Sequence, residues 1–210
     1  MLLIGMFDSP FVRRVAISMK LLGLPFEHAN WSVGKDFDRI REYNPLGRVP
    51  TLVLDDGEAL MESSAILDYL DELVGPDRAL LPHTGKQRRD ALKLMAIATG
   101  AAEKGVAQVY EGVFRPPEKY HQPWVDRCRA QMTGALQELE RVRVTQATDS
   151  WLMGAHMTQP DITVACVVTF LADATRLEVS PYPALQSLVA RCEAMSVFKE
   201  IKLSFFTPNK

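Results

Sequence analysis

The chain has 210 residues, of which 47% are hydrophobic and 24% are charged, values typical of a globular protein with one or two domains. Its net charge of −2 gives no general attraction to nucleic acid or to an anionic membrane, so neither is expected as a partner. No apolar run approaches the roughly 20 residues that a membrane-spanning helix needs. Three widely separated cysteines without metal spacing favour a reducing, cytoplasmic location, and no metal site is expected.

The first third of the chain mixes strand and helix patterns. Strands are predicted at residues 1–6, 26–31, 51–54 and 59–61. Pro10 begins an amphipathic helix that ends at Gly23, and residues 63–73 form another. The order is βαβ, an ill-defined helix or loop, and then ββα, so the first two strands are parallel and the last two antiparallel. This part is therefore an α/β domain with a mixed four-stranded sheet.

Strand patterns stop after the first third, and the rest is predicted to be an all-α helical bundle. Long helical patterns cover residues 86–112, 119–145 and 159–176, and shorter ones follow Pro183 and lie near Ser196. The composition changes across a Gly- and Pro-containing segment at residues 79–85. We therefore expect domains at residues 1–78 and 86–210, joined by a linker at 79–85.

Thr158 and Asp161 have the spacing of a helix capping box, with Met157 and Ile162 available as a hydrophobic staple. This pattern predicts the start of a buried helix, and we interpret it as structural.

Ser9 has two interpretations. It precedes Pro10 at the start of the first helix, where a serine is typical of an N-cap worth about 1 kcal/mol. Alternatively its hydroxyl donates to an anion, since a helix N-terminus also stabilises a thiolate. No His or Asp base is suitably arranged nearby in sequence, so the hypothesis is that Ser9 serves the thiolate of a bound thiol rather than attacking itself.

Two further segments together describe a receptor for a small peptide. A cis bond before Pro50, which costs little for an X-Pro peptide, would turn the backbone of Val49 outward to pair with an extended peptide. Glu62 and Ser63 stand at a predicted helix start, where they suit the ammonium and carboxylate of an amino acid. A plain helix start is the alternative for this pair.

Basic and aromatic residues complete the candidate site. Arg48 and Lys35 lie where they could meet a carboxylate at the far end of such a peptide, although each is equally explained as a surface cation. Tyr110 and Phe114 could line a pocket, with core packing as the alternative. The four histidines have no ligand spacing.

These residues, in this order, resemble the glutathione transferase superfamily over nearly the whole chain. The resemblance is carried by Ser9-Pro10-Phe11 with Arg13-Arg14-Val15, by Asn44-Pro45-x-Gly47-x-Val49-Pro50, by Glu62-Ser63-x-Ala65-Ile66 and by Gly154-x-x-x-Thr158-x-x-Asp161. It implies a thioredoxin-like N-terminal domain, an all-helical C-terminal domain and a homodimer. It also implies that glutathione is a co-substrate, with no other cofactor, and that an electrophile pocket lies between the domains.

Roles follow from the resemblance position by position. Ser9 matches the thiol-activating serine of serine-type classes, and its Ser-Pro-Phe is similar to the tau class. The glutathione-binding set would be Lys35, Arg48, Val49, Pro50, Glu62 and Ser63, and the electrophile pocket would include Phe11, Tyr110 and Phe114.

Departures from other classes narrow the expected chemistry. The N-terminal domain has no cysteine, which argues against thiol-transferase activity. The strand end has Met6 and Phe7 rather than a tyrosine, which excludes the tyrosine-type mechanism. The double serine of the zeta class is absent, which argues against an isomerase. We expect addition of the glutathione thiolate to a small hydrophobic electrophile. A glutathione-dependent peroxidase using the same site, or a non-catalytic regulatory protein of this superfamily, stays open.

Overall fold

A computed structural model describes residues 1–205. Its sheet has four strands: β1 (Leu2–Ile4), β2 (Glu27–Ala29), β3 (Thr51–Val53) and β4 (Ala59–Met61). They lie in the order β2-β1-β3-β4. β1 pairs parallel with β2 and antiparallel with β3, and β3 pairs antiparallel with β4. A right-handed βαβ crossover followed by a tight hairpin gives this order.

Three helices accompany the sheet: α1 (Pro10–Leu21), α2 (Phe37–Arg41) and α3 (Ser63–Val74). One face of α1 and one face of α3 are apolar and completely buried against the sheet and the rest of the core. Because α1 begins directly after the turn that follows β1, its N-terminus and Ser9 lie at the carboxyl end of this inner strand, where a cavity opens.

The remainder is helical: α4 (Gly85–Phe114), α5 (Gln122–Val144), α6 (Gln159–Thr175), α7 (Pro183–Glu193) and α8 (Ser196–Glu200). α6 is the central helix, buried along most of its length, and it packs against α4, α7 and α1. A helix that is buried on nearly all sides must be surrounded by other elements, which explains why α6 connects the helical part to α1.

The expected fold class is confirmed: a thioredoxin-like domain with a mixed four-stranded sheet precedes an all-helical domain. Several boundaries differ from the prediction. The strands have three residues each, and the apolar residues Met6, Phe26, Trp31 and Leu54 lie outside them in irregular structure. α5 begins at Gln122 rather than at residue 119, since Pro117–Lys119 forms a separate 3-10 turn. The ill-defined segment contains α2. The linker at residues 79–85 stays a prediction.

The capping box at the start of α6 is confirmed. The backbone N–H of Thr158 donates to Asp161 Oδ2 at 2.8 Å, and the other oxygen, Oδ1, accepts from the backbone of Leu152 at 2.8 Å. Asp161 is completely buried, so these donors replace the water that it loses on folding. The carboxylate thus connects the loop before α6 to the helix that it starts.

Arg13 fastens the C-terminal segment to α1. Its guanidinium forms a bidentate ion pair with Glu193 at 2.7 and 3.0 Å and donates to the carbonyls of Ile201 and Phe198. Burial alone would raise the pKa of Glu193, but the hydrogen bonds and charge of Arg13 outweigh it and hold that pKa below its ordinary value. Within residues 1–205, no helix could span a membrane and no His/Cys/Asp/Glu cluster could hold a metal ion.

Candidate functional site

Ser9 is the N-cap of α1. Its hydroxyl oxygen accepts from the backbone N–H of Val12 at 3.5 Å, the long end of the hydrogen-bond range. Since a serine hydroxyl has two lone pairs and one proton, this contact leaves the proton available to another acceptor. The capping interpretation is therefore confirmed, and it does not compete with the anion-binding one.

Gly5 allows the turn that leads to Ser9. Its φ is +131°, a backbone conformation that only glycine adopts readily. A Cβ at this position would lie 2.5 Å from Val12 Cγ2 and 2.8 Å from Val49 Cβ. The absence of a side chain thus lets the start of α1 approach the loop that carries Val49.

Ser9 opens into a cavity of about 840 Å³ between the sheet domain and the helices. One side, which we call the N-domain wall, consists of Met6, Asp8, Ser9, Pro10, Phe11, Trp31, Ser32, Val33, Gly34, Phe37, Leu46, Gly47, Arg48 and Val49. The opposite side, the helical wall, consists of Val106, Val109, Tyr110, Val113, Phe114, Phe170 and Phe205. The volume lies within the range of small-molecule sites.

The helical wall is apolar. Its α4 residues recur at spacings of three and four, which places them on one face of the helix. The rings of Tyr110 and Phe114 pack edge to face with centroids 4.9 Å apart, and Phe114 is nevertheless 62% exposed. Burial raises the pKa of Tyr110, so its phenol is neutral near pH 7. Phe11, Tyr110 and Phe114 therefore meet across one cavity.

Sequence reasoning did not find Phe205, which closes one end of the helical wall. Its ring packs edge to face against Phe170 of α6, with centroids 5.8 Å apart. The segment that carries it follows α8 and is anchored by the bonds from Arg13 to Ile201 and Phe198. No local pattern marks a short segment after the last helix as part of a pocket, because its position depends on that distant arginine.

The loop before β3 is held by Asn44, which is buried. Its side-chain amide donates to the carbonyl of Arg48 at 2.9 Å and to Thr51 Oγ1 at 3.0 Å, while its oxygen accepts from the backbone of Leu46. These bonds fix the turn that presents Val49 to the cavity. The Val49-Pro50 bond is cis, as expected.

Glu62 precedes α3 with φ +67° and ψ 120°, an unusual conformation for a residue with a side chain. Its carboxylate forms an ion pair with Arg48, in which Nη1 and Oε1 are 3.2 Å apart and both side chains are about half exposed. The long side chain of Arg48 thus bridges to Glu62, and the expected contact of Arg48 with a carboxylate at the far end of the peptide stays a prediction. Lys35 is exposed beside Gly34.

Ser63, the first residue of α3, is only 3% exposed. Its hydroxyl oxygen accepts two bonds from Arg14, from Nε at 3.1 Å and from Nη2 at 2.6 Å. Sequence reasoning used Arg14 as part of a motif and assigned it no role. The signal was a cation among the apolar positions of an amphipathic helix.

Comparison with known proteins assigns the family. Residues 3–78 match the model of the N-terminal domain of glutathione S-transferases, and residues 122–191 match the model of their C-terminal domain. The chain belongs to the glutathione S-transferase family. The chain is 31% identical to YibF, an uncharacterized GST-like protein of Escherichia coli K12, over 81% of this chain and 82% of that protein.

Two further relatives bear on the ligand. A glutathione S-transferase from Methylobacterium radiotolerans, solved in complex with glutathione sulfonate, is 28% identical and superposes with a TM-score of 0.90 over 100% of this chain and 97% of that one. A probable maleylacetoacetate isomerase 1 from Drosophila melanogaster is 28% identical over 77% of this chain and 62% of that protein. The family thus includes at least two kinds of chemistry among its members.

Proposed function

We propose that the protein transfers the thiolate of glutathione to a small, neutral, apolar electrophile. The observation that carries the proposal is the place of Ser9: its hydroxyl opens, at a helix N-terminus, into a cavity whose other wall is apolar. The peptide would lie along the N-domain wall, its cysteinyl part paired with the backbone of Val49 before Pro50. Its γ-glutamyl end would reach Glu62 and Ser63, as in the serine-type classes that include tau.

The Ser9 hydroxyl would donate to the sulfur. A free thiol has a pKa near 8.5, so lowering it by two units needs roughly 2.7 kcal/mol of preferential stabilisation of the thiolate. A charge-assisted hydrogen bond and a helix N-terminus together supply that order of energy. With an aryl halide, the thiol proton passes to solvent, the sulfur forms a bond to carbon, and the halide leaves with the electrons of its bond.

The test of this proposal removes the Ser9 hydroxyl. We expect Ser9→Ala to lower kcat about 10- to 100-fold with an aryl halide, to change the KM for glutathione less than threefold, and to move the pH profile upward by about one unit. Ser9→Gly is the matched control, because glycine is nearly as good an N-cap as serine and also lacks the hydroxyl. An equal loss of kcat in both variants supports the donor role. If Ser9→Gly instead keeps the wild-type kcat while Ser9→Ala loses it, the capping of the helix matters and the donor role is contradicted.

The helical wall favours a neutral electrophile over the anionic substrate of an isomerase. Asp8 and Arg48 are the charged residues among the described residues that line the cavity, and Arg48 is paired with Glu62. Maleylacetoacetate carries two carboxylates, and burying them without cations would be costly. We therefore expect turnover of aryl halides and little turnover of maleylacetoacetate, measured side by side.

Two alternatives share the same site. A peroxidase would use the same thiolate, so an organic hydroperoxide belongs in the same assay. A non-catalytic binding protein would bind glutathione poorly or without turnover, and calorimetry at millimolar glutathione distinguishes it. The homodimer implied by the resemblance is part of the proposal, and sedimentation measures it.

A further inference from the structure

α4 contains three glycines beyond its first residue, and Gly105 differs from the other two. A Cβ at Gly100 or at Gly112 would have no described atom within 4 Å outside the helix's own backbone and the adjacent residues. A Cβ at Gly105 would lie 2.7 Å from Leu171 Cδ2 and 2.9 Å from Phe170 Cε1, both on α6. Because both distances are shorter than van der Waals contact, a methyl group at position 105 would have to displace one of these side chains.

The surroundings of the two side chains decide which of them can move. Leu171 is completely buried, so core atoms occupy the space around it. Phe170 packs edge to face against Phe205 and lines the cavity, so open space lies beside its ring. A methyl group at position 105 would therefore push the Phe170 ring into the cavity rather than Leu171 into the core.

The Phe170 ring borders the reacting end of the candidate site. Phe170 and Phe205 line the large cavity and also a smaller cavity, which Asp8 and Pro10 line as well. Asp8 and Pro10 flank Ser9, so the ring limits the room beside the turn that would hold the thiolate. Reacting atoms must approach within about 3–3.5 Å of each other, and a ring displaced toward this turn would hinder a wide electrophile more than a narrow one.

We propose that Gly105 is a positioning residue that makes the site accessible to aryl electrophiles with two fused rings. It keeps the Phe170 ring against α4 and so leaves room for the second ring beside the Ser9 turn. This assignment rests on the proposed function, which puts the reaction at Ser9. Among the described residues, Gly105 is not part of the cavity lining, and it acts on the electrophile only through the ring of Phe170.

The test compares two aryl halides that differ by one fused ring, 1-chloro-2,4-dinitrobenzene and 1-chloro-2,4-dinitronaphthalene. In both, the glutathione sulfur forms a bond to the ring carbon and chloride leaves with the electrons of its bond. The quantity measured is the ratio of kcat/KM for the naphthalene over the benzene at saturating glutathione. We expect Gly105→Ala to lower this ratio about fivefold, with the KM for glutathione changed less than twofold.

Calorimetry with the two S-aryl glutathione conjugates measures the same preference without turnover. The ratio of their affinities should also fall about fivefold in Gly105→Ala. Gly112→Ala is the matched control, because it makes the same change on the same helix where the new methyl group meets no described neighbour. It should keep the wild-type ratios and raise the melting temperature, since alanine is the better helix former.

The Phe170→Leu background separates a specific action through the ring from a general disturbance of packing between α4 and α6. Leucine lacks the ring atom that a methyl group at position 105 would meet, so adding Gly105→Ala to Phe170→Leu should change the ratio less than about 1.5-fold. Phe170→Leu alone should raise the ratio about threefold. This single variant also tests the assignment if Gly105→Ala does not fold, because an unchanged ratio would exclude any action through the ring.

The outcomes distinguish this inference from the proposed function. If the wild type turns over neither halide and binds neither conjugate, the proposed function fails and the inference fails with it. If the wild type is active but Gly105→Ala keeps its ratio, the role of Gly105 is refuted while glutathione transfer stands. An equal fall in Gly112→Ala, or an undiminished effect of Gly105→Ala in the Phe170→Leu background, would likewise overturn the assignment.

Discussion

The two walls of the cavity differ in how they are built. The N-domain wall combines backbone, hydroxyl and charged groups on short loops: the Ser9 turn, the Val49 loop and, next to it, Glu62. The helical wall consists of apolar side chains on two long helices and one terminal segment, with the Tyr110 hydroxyl as its one polar side-chain group among the described residues. The first has the chemistry of a site that recognises one fixed ligand; the second offers shape alone.

This difference implies a division of labour. Hydrogen bonds and charges discriminate strongly between ligands, because an unmatched buried polar group is costly. Apolar contacts discriminate weakly, by about 1–3 kcal/mol for a group that fits or does not. Substitutions in or beside the N-domain wall should therefore change the affinity for glutathione, and substitutions in the helical wall should change the choice of electrophile.

Among the wall substitutions that change binding or selectivity, the largest effect is expected at Glu62. Replacing it with glutamine keeps the shape of the side chain but removes the charge that would meet the glutathione ammonium. We expect Glu62→Gln to weaken glutathione binding about tenfold in calorimetry, near the lower end for a charged hydrogen bond because the side chain is half exposed.

The control for this variant is Glu58→Gln, four residues earlier on the exposed β3–β4 turn, which should bind glutathione as the wild type does. The ratio of activities with a small and a bulky electrophile should be unchanged in both. A Glu62→Gln variant with altered electrophile preference would mean that the two walls do not act separately.

A smaller, opposite effect is expected at Phe205. Replacing it with alanine removes the ring against Phe170 and enlarges the cavity at the end of the helical wall. We expect the ratio of kcat/KM for a bulky over a small aryl electrophile to rise about fivefold, because the wild-type ring excludes the larger substrate. The KM for glutathione should stay within twofold.

Leu203→Ala provides the matched control for Phe205. Leu203 lies in the same segment and is exposed, so its truncation tests whether loosening the tail is enough to change selectivity. The same shift in both variants would refute a specific role for the Phe205 ring. No shift in either would remove Phe205 from the helical wall as a determinant of specificity.

The same contrast explains how much could be predicted from sequence. The α/β domain, the cis bond before Pro50 and the Thr158–Asp161 capping box could be predicted, because each rests on residues a few positions apart that impose a local geometry. Tyr110 and Phe114 were pocket candidates as aromatic residues, with core packing as the alternative, and the structure places both at the cavity.

Contacts between distant residues could not be predicted. Phe205 reaches the cavity because Arg13, 188 positions before Ile201, holds the terminal segment. Arg14 meets Ser63 across 49 positions, and Arg48 turns to Glu62 rather than away from it. In each case a long cationic side chain has several acceptors within reach, and packing of the whole domain decides between them.

The smallest effect is expected at Lys35, which is proposed to contact the glycine carboxylate of glutathione. The side chain is exposed beside Gly34, which lines the cavity, so any ion pair it forms would be screened by water and salt. Since Arg48 is engaged by Glu62, Lys35 would act alone at that end of the peptide. We expect Lys35→Ala to raise the KM for glutathione about twofold at low ionic strength and to have no effect at 1 M salt, measured by initial rates.

The control is Lys93→Ala, which changes a lysine on α4 outside the described cavity and should leave the KM unchanged at both ionic strengths. A loss that persists at high salt would require a contact more buried than this exposed position allows.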